Sequence, residues 1–313
     1  MDSAELHATV AAWYRENARV LPWREPTASP WAVMVSEFML QQTPVARVLP
    51  VWEAWMARWP TPAALAAEPP GEAVRAWGRL GYPRRALRLH AAATAIRADH
   101  GGRVPDDHAA LLALPGVGAY TAAAVASFAF GRRHAVLDTN VRRVLARALS
   151  GSQYPLNAAT AAERALAEQL LPHLEGPANA PAGAPDAPVT AAEWAVASME
   201  LGALVCTARS PRCADCPLAD ACAWTRAGRP AHDGPPRRGQ SYAGTDRQAR
   251  GRLLAVLRDA DGPVPQARLD EAWGEPVQRA RALDGLVADG LVEPLDDGLY
   301  QLPTGVPAAN PTP

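Results

Sequence analysis

The chain contains no lysine; all 31 of its basic residues are arginine. No side-chain amine exists to form a Schiff base, so chemistry that depends on one is excluded. Phenylalanine occurs three times. Runs of β-branched residues are scarce and alanine is abundant, which predicts a mainly helical chain. The start, MDSAELHATVAAWYREN, holds acids and no apolar run of the signal-peptide kind. Residues 109–131 lack charge, but Pro115, Gly116 and Gly118 break them into two short pieces, so a membrane span is not expected there. Cysteine is limited to four residues, all between 206 and 222. In an intracellular setting such a cluster suggests a metal site more than disulfides, and a cytoplasmic location is the matching expectation.

What is present is ample for a core. Of 313 residues, 49% are hydrophobic and 20% charged, enough for one large or two modest domains. The net charge of −1 hides an asymmetry. Between Arg75 and Ser150 twelve arginines face four aspartates; between Ser241 and Leu302 seven arginines face eleven acids. A basic middle and an acidic tail suggest that the middle faces a polyanion.

Helical periodicity runs from residue 4 to 18, then from Pro30, which suits a first turn, to about 40, where Pro44 disfavours continuation. Further helices are expected at 45–58, 61–69 (capped by Thr61), 71–79, 83–100, 106–112, 119–130, 138–149, 158–173 and 191–205. Residues 175–190 are low-complexity Pro/Ala/Gly and read as a flexible surface insertion. Residues 226–243 read as a linker and 304–313 as a disordered tail. Between them, 244–303 predicts three helices and a hairpin turned at Asp296-Asp297-Gly298, a winged-helix-like pattern.

Two motifs carry chemistry. In LPGVGAY (114–120), two short helices meet at a turn that presents the N–H groups of Gly116, Val117 and Gly118 beside a helix N-terminus, an arrangement suited to a phosphate. The plainer reading is a helix–turn–helix corner with glycines for packing; Arg132 and Arg133 beyond the second helix favour the first. The cysteines run Cys206-x6-Cys213-x2-Cys216-x5-Cys222. Thiolates suit zinc or an iron–sulfur cluster. Zinc sites more often pair two short hooks; this spacing has one, so a [4Fe–4S] cluster is the better fit. Arg209 and Arg212 within the loop have no ligand role and suit a DNA backbone.

Taken with SEFMLQQT (36–43), LGY (80–82), PGVGAYTA (115–122) and LDTNVRRVLAR (137–147), the cysteine spacing resembles the helix-hairpin-helix DNA glycosylases of the endonuclease III superfamily, and among them the MutY-type adenine glycosylases. The resemblance covers about residues 5–225. It implies an all-α helix-hairpin-helix glycosylase domain over 1–225 with a [4Fe–4S] loop at 206–222, followed by the small C-terminal domain. It implies a monomeric base excision repair enzyme acting on double-stranded DNA, bound to the nucleoid when at work, that removes adenine opposite 8-oxoguanine or guanine.

By the resemblance, Glu37 protonates the leaving adenine and Asp138 stabilises the oxocarbenium-like sugar, with Tyr120 and Asn140 orienting them. Gln42 and Thr43 contact the estranged base, Leu80 and Tyr82 wedge into the stack, and Trp23 and Arg24 lie near the adenine. As a helix N-cap, Asp138 is expected to stay ionised. Endonuclease III enzymes place a Schiff-base lysine where this chain has Tyr120, so the enzyme is expected to be monofunctional. A thymine glycosylase for T·G mismatches also fits Tyr120, and a non-catalytic iron–sulfur regulator would need neither Glu37 nor Asp138.

Four departures stand out. Pro83 replaces an aromatic, and Arg142 stands where some members have lysine. Val196 replaces a polar pocket residue, for which Glu193 is a substitute. Residues 244–303 are too short for the Nudix-like domain that recognises 8-oxoguanine, and in them only Arg279 and Arg281 offer a basic patch.

Overall fold

In the computed structural model, residues 2–178, 187–234 and 242–305 are described. Half of the expected insertion, part of the linker and most of the tail lie outside them. The helices are α1 (Ser3–Asn17), α2 (Pro30–Leu40), α3 (Val45–Arg58), α4 (Pro62–Ala66), α5 (Pro70–Trp77), α6 (Arg84–Asp99), α7 (His108–Ala113), α8 (Ala119–Phe130), α9 (Thr139–Ala148), α10 (Ala161–Gln169), α11 (Ala191–Leu204), α12 (Ala223–Arg226), α13 (Asp246–Asp259), α14 (Gln266–Ala272) and α15 (Pro276–Ala288). Three short strands, β1 (Val264–Pro265), β2 (Glu293–Pro294) and β3 (Leu299–Gln301), complete the order. Among the described residues no helix is long and apolar enough to cross a membrane.

Helix starts follow side-chain capping. Thr61, Thr160, Thr190 and Thr245 each accept the N–H three residues on, and Thr160 forms a reciprocal capping box with Glu163. Gly131 ends α8 in the left-handed conformation that glycine adopts without strain.

The chain forms two compact units, each discontinuous in sequence. The first comprises Met1–Met34, Asp106–Ala113 and Val117–Pro236. Its core joins α1 to α9, α10 and α11: Leu6, Val10 and Tyr14 pack in one cluster with Val141, Val144, Leu145, Trp194 and Leu201. Burying such side chains contributes about 1.5–3 kcal/mol each.

The second unit comprises Val35–Pro105, Leu114–Gly116 and Arg237–Pro313. Trp55, Trp59 and Trp77 interlock edge to face, with ring centroids 4.8 and 5.6 Å apart. The C-terminal module has winged-helix order: α13, β1, α14, α15, β2, β3, with β3 central and antiparallel to both neighbours. Strand β1 is an addition to the expected hairpin; it is two residues long and pairs only through Val264 and Pro265. The module docks on α5. Arg75 donates to the carbonyls of Arg258 and Ala260, Arg258 Nε donates to the Val74 carbonyl at 2.9 Å, and the Gly71 N–H donates to the Pro303 carbonyl at 2.7 Å. The two arginines of the expected basic patch are both ion-paired. Arg279 pairs with Asp270 at 2.9 Å, and Arg281 pairs through two nitrogens with Asp246 at 2.7 Å.

Candidate active site

In the first unit the chemistry gathers at the head of α9. Asp138 is its N-cap: Oδ1 accepts the Val141 N–H at 2.6 Å and Oδ2 accepts the Asn140 side-chain amide at 2.6 Å. Behind them lies Arg143, buried at 8% exposure. It donates to Asn140 Oδ1 at 2.7 Å and to the carbonyls of Gly202 and Cys206, each at 2.6 Å. Asp138, Asn140 and Arg143 therefore form one hydrogen-bonded row that ends on the first cysteine's backbone. Capping is one of several influences on Asp138's titration. Burial pushes its carboxyl above the ordinary value, opposed by the hydrogen bonds from Val141 and Asn140 and by the Arg143 charge. Tyr120 sits half-buried in the first turn of α8 and packs with Ala123, Ala124, Val136 and Ala195.

Arg147, one turn beyond Arg143, is fully enclosed at 2% exposure and faces the cysteine loop. Its guanidinium donates to Cys206 Sγ at 3.3 Å and to the carbonyls of Thr207 and Ala208. None of the four cysteines is joined in a disulfide, and Cys216 feels the charges of Cys206, Cys213 and Cys222 together. Burial pushes the Cys216 thiol up to about 11, so metal binding has to displace protons here. Among the described residues no three His, Cys, Asp or Glu side chains are gathered tightly enough for a single metal ion. Four soft sulfurs confined to one seventeen-residue loop, with Arg147 donating to Cys206 Sγ, suit an anionic iron–sulfur cluster. In the same loop Arg209 and Arg212 are exposed; Arg212 also donates to the Leu204 carbonyl at 2.8 Å and lies 3.8 Å from Asp215.

Arg24 lies in a short 3-10 turn, next to buried Trp23. With Arg19 it clamps Glu200, which has no exposed surface; the Oε2 contacts are 2.6 and 2.9 Å. These two arginines overcome the burial penalty and hold the Glu200 carboxyl down at about 2. Glu193 is likewise buried and gripped by two nitrogens of Arg15, at 2.7 and 2.8 Å. That commitment removes it as a stand-in for the side chain missing at buried Val196. Arg142 is paired with Glu163 at 2.9 Å.

The hairpin turn has the expected shape. Gly116 has a φ of +74°, and a Cβ there would lie 2.5 Å from Arg88 Cβ, so only glycine fits. Gly118 is the N-cap of α8. Among the described residues no backbone acceptor takes the N–H of Gly116, Val117 or Gly118.

In the second unit, Glu37 is buried at 5% exposure on α2. The following turn exposes Gln42, whose φ is +56°. Thr43 is buried; its hydroxyl donates to the Leu80 carbonyl at 3.2 Å and accepts from Arg85 Nη2 at 3.1 Å. Tyr82 is 53% exposed with a φ of +47°, whereas Leu80 is a core side chain at 4% exposure. Of the expected wedge, only Tyr82 is presented to solvent. Pro83 is the N-cap of α6. Arg85 and Glu200 were missed on sequence. The available signals were an arginine in a helix's first turn and a lone acid in the apolar run ASMELGALV.

These features coincide with known families. Residues 35–172 match the HhH-GPD superfamily of base excision DNA repair proteins, and residues 206–222 match the iron–sulfur binding domain of endonuclease III. The chain belongs to the HhH-GPD superfamily, and its cysteine loop carries a [4Fe–4S] cluster. Within that class its full-length likeness is to adenine DNA glycosylases. It is 56% identical to the adenine DNA glycosylase of Mycobacterium tuberculosis over 93% of this chain and 91% of the relative. It is 52% identical to that of Mycolicibacterium smegmatis over 95% and 97%. Among solved structures, a thermostable thymine-DNA glycosylase superposes with a TM-score of 0.60 at 28% identity, covering 72% of this chain and 97% of that one.

Proposed function

We propose that this chain is a monofunctional adenine DNA glycosylase of base excision repair, working as a monomer on double-stranded DNA. It removes adenine mispaired with 8-oxoguanine or guanine and leaves an abasic site. The observation that carries the reading is the Asp138 carboxylate held by Val141 N–H and the Asn140 amide, in a chain without lysine. A carboxylate so fixed stabilises positive charge on a sugar but offers no amine to open it. The near-complete match to adenine glycosylases, which includes most of the C-terminal module, favours adenine over thymine.

The adenine is flipped from the duplex. Glu37 delivers a proton to N7, the bond from C1′ to N9 breaks, and its electron pair leaves with the base. Asp138 faces the oxocarbenium-like sugar until water adds at C1′ and loses its proton. Asn140 and Arg143 keep the carboxylate in place, and Tyr120 and Arg24 border the base. Gln42, Thr43 and Tyr82 address the partner strand's base and the stack. Gly116, Val117, Gly118, Arg209 and Arg212 take phosphates. Cys206, Cys213, Cys216 and Cys222 would hold the cluster, whose role here is to fix the loop and its arginines. Residues 1–225 form the glycosylase domain, with 244–303 as an accessory module.

Oligonucleotide duplexes with A·8-oxoguanine, A·G and T·G pairs test this, with alkali added to cut abasic sites. Strand scission from the two adenine duplexes, after alkali only, is expected. Asp138→Asn is expected to bind without excising. Scission of T·G alone, or full activity of that variant, would overturn the assignment.

A further inference from the structure

We propose that Arg85 is a positioning residue that locks the Gln42–Thr43 turn and the Tyr82 turn into one body, and that this lock sets the discrimination between bases opposite the target adenine. The inference rests on the roles given above to Gln42, Thr43 and Tyr82.

The geometry is concentrated in one guanidinium. Arg85 stands in the first turn of α6 and is 5% exposed. Nη1 donates to the carbonyls of Phe38, Met39 and Gln41 at 2.9, 3.2 and 2.5 Å. The first two are groups that the C-terminal end of α2 leaves without helical partners, at its negative pole. Nη2 donates to Thr43 Oγ1 and to the Gly81 carbonyl, both at 3.1 Å. The guanidinium carbon lies 5.4 Å from the Tyr82 ring centroid and 5.3 Å from that of Trp77.

The positions of two acceptors matter most. The Gln41 carbonyl belongs to the peptide that enters Gln42, and the Gly81 carbonyl to the peptide that enters Tyr82. Gln42 and Tyr82 are two of the few non-glycine residues at positive φ. That conformation is disfavoured for L residues and persists only where surrounding contacts impose it. One side chain therefore fixes both peptide planes that aim the exposed side chains. A plug for the end of α2 would need only the first two acceptors. Lysine cannot replace this fork, because an ammonium has neither its planarity nor its span.

The test uses full-length, cluster-loaded Arg85→Lys, Arg85→Gln and wild type. Arg258→Gln serves as control, since Arg258 is a half-buried arginine of the same unit whose Nε donates to the Val74 carbonyl, away from both turns. Cluster absorbance and thermal midpoint establish folding. The functional readouts are the ratio of single-turnover rates on A·8-oxoguanine and A·G duplexes, and the fluorescence of 2-aminopurine placed beside the target. Arg85→Lys is expected to lower the rate ratio at least fivefold and to reduce the fluorescence rise on binding, while Arg258→Gln keeps both. A wild-type ratio and fluorescence in folded Arg85→Lys would overturn the proposal, as would an equal fall in Arg258→Gln. If neither Arg85 variant folds, Thr43→Val decides: it removes the hydroxyl shared by Arg85 and the Leu80 carbonyl. A reduced ratio supports the lock, and an unchanged ratio refutes it. Wild type that excises no adenine would instead overturn the underlying glycosylase reading.

Discussion

Substituting Gly202 by alanine strikes the support of the Asp138 carboxylate without touching the carboxylate. Gly202 lies within α11, where the backbone of α9 crosses it. A Cβ on residue 202 would stand 2.7 Å from Asn140 Cβ, 2.8 Å from Asn140 O and 2.9 Å from Asn140 C. Carbon contacts are favourable at about 3.5–4.0 Å, so the two helices must part by roughly 0.8 Å. Overpacking of this kind costs about 1–3 kcal/mol. Alanine's helix propensity returns about 1 kcal/mol, which leaves a net loss of about 0–2 kcal/mol and a melting point lower by a few degrees at about 2–4 °C per kcal/mol. Catalysis is the sharper readout. The Asn140 amide is 2.6 Å from Asp138 Oδ2, and the Gly202 carbonyl itself accepts from Arg143 at 2.6 Å. A misplacement near 1 Å in a catalytic constellation lowers a rate by up to about 10²-fold. Single-turnover excision from an A·8-oxoguanine duplex is therefore expected to slow by about 10- to 100-fold, with duplex affinity nearly unchanged. Gly251→Ala is the control. Its Cβ would meet only the hydroxyl end of the exposed Tyr242 side chain, at 3.3 Å, so wild-type rate and equal or better stability are expected. If Gly202→Ala matches Gly251→Ala in both assays, the contact with α9 does not position Asp138.

Two further outcomes follow from the buried charges. The Glu200 carboxyl is held at about 2 against an unfolded value near 4.5. A depressed carboxyl contributes stability above its unfolded value and loses it as pH falls through its folded value, here from about 4.5 down to about 2. The shift of about 2.5 units corresponds to about 3 kcal/mol. Glu200→Gln is thus expected to unfold in less urea than wild type at pH 7, with the gap narrowing below pH 4.5; a gap independent of pH would refute the ion-pair account. Arg143→Gln removes a charge that lowers the Asp138 titration. The acid limb of the pH–rate profile is expected to move to higher pH as the rate falls about tenfold or more, and an unmoved acid limb would show that Arg143 does not act on Asp138.

Much of the helical framework was legible because its signals are local. Thr61, Pro30 and the glycine turn at 116–118 act within four residues of themselves, and each marks a helix boundary near its expected place. The cysteine loop was legible through spacing alone. Illegible were the pairings that cross the chain. Arg19 and Arg24 meet Glu200 some 176–181 residues away, and the second unit joins residues 35–105 to the C-terminal module. Nothing in a periodicity pattern distinguishes Leu80, which is in the core, from Tyr82, which is not; the left-handed turn at Gly81 and Tyr82 decides it. Asp138 shows a different limit. Its capping role was readable, but the sign of its titration depends on how much protein covers it, which is a property of tertiary packing.

The absence of lysine bears on this architecture as well as on the reaction. Glu37, Gln42 and Tyr82 belong to one unit and Asp138 with the cysteine loop to the other. Each unit ties its own share to the scaffold with a buried guanidinium, Arg85 in one and Arg143 in the other. Burial draws Arg85 down to about 10, which leaves it charged at neutral pH, and lowers Arg143 as well. A lysine starts about two units lower, and the same desolvation would carry it toward neutrality, where it donates fewer hydrogen bonds and accepts one. Each of these arginines satisfies four or more acceptors from different segments. The sites therefore depend on arginine for a planar fork of five donors that stays charged when dry, and Arg→Lys changes at 85 and 143 are expected to act as losses rather than as conservative exchanges.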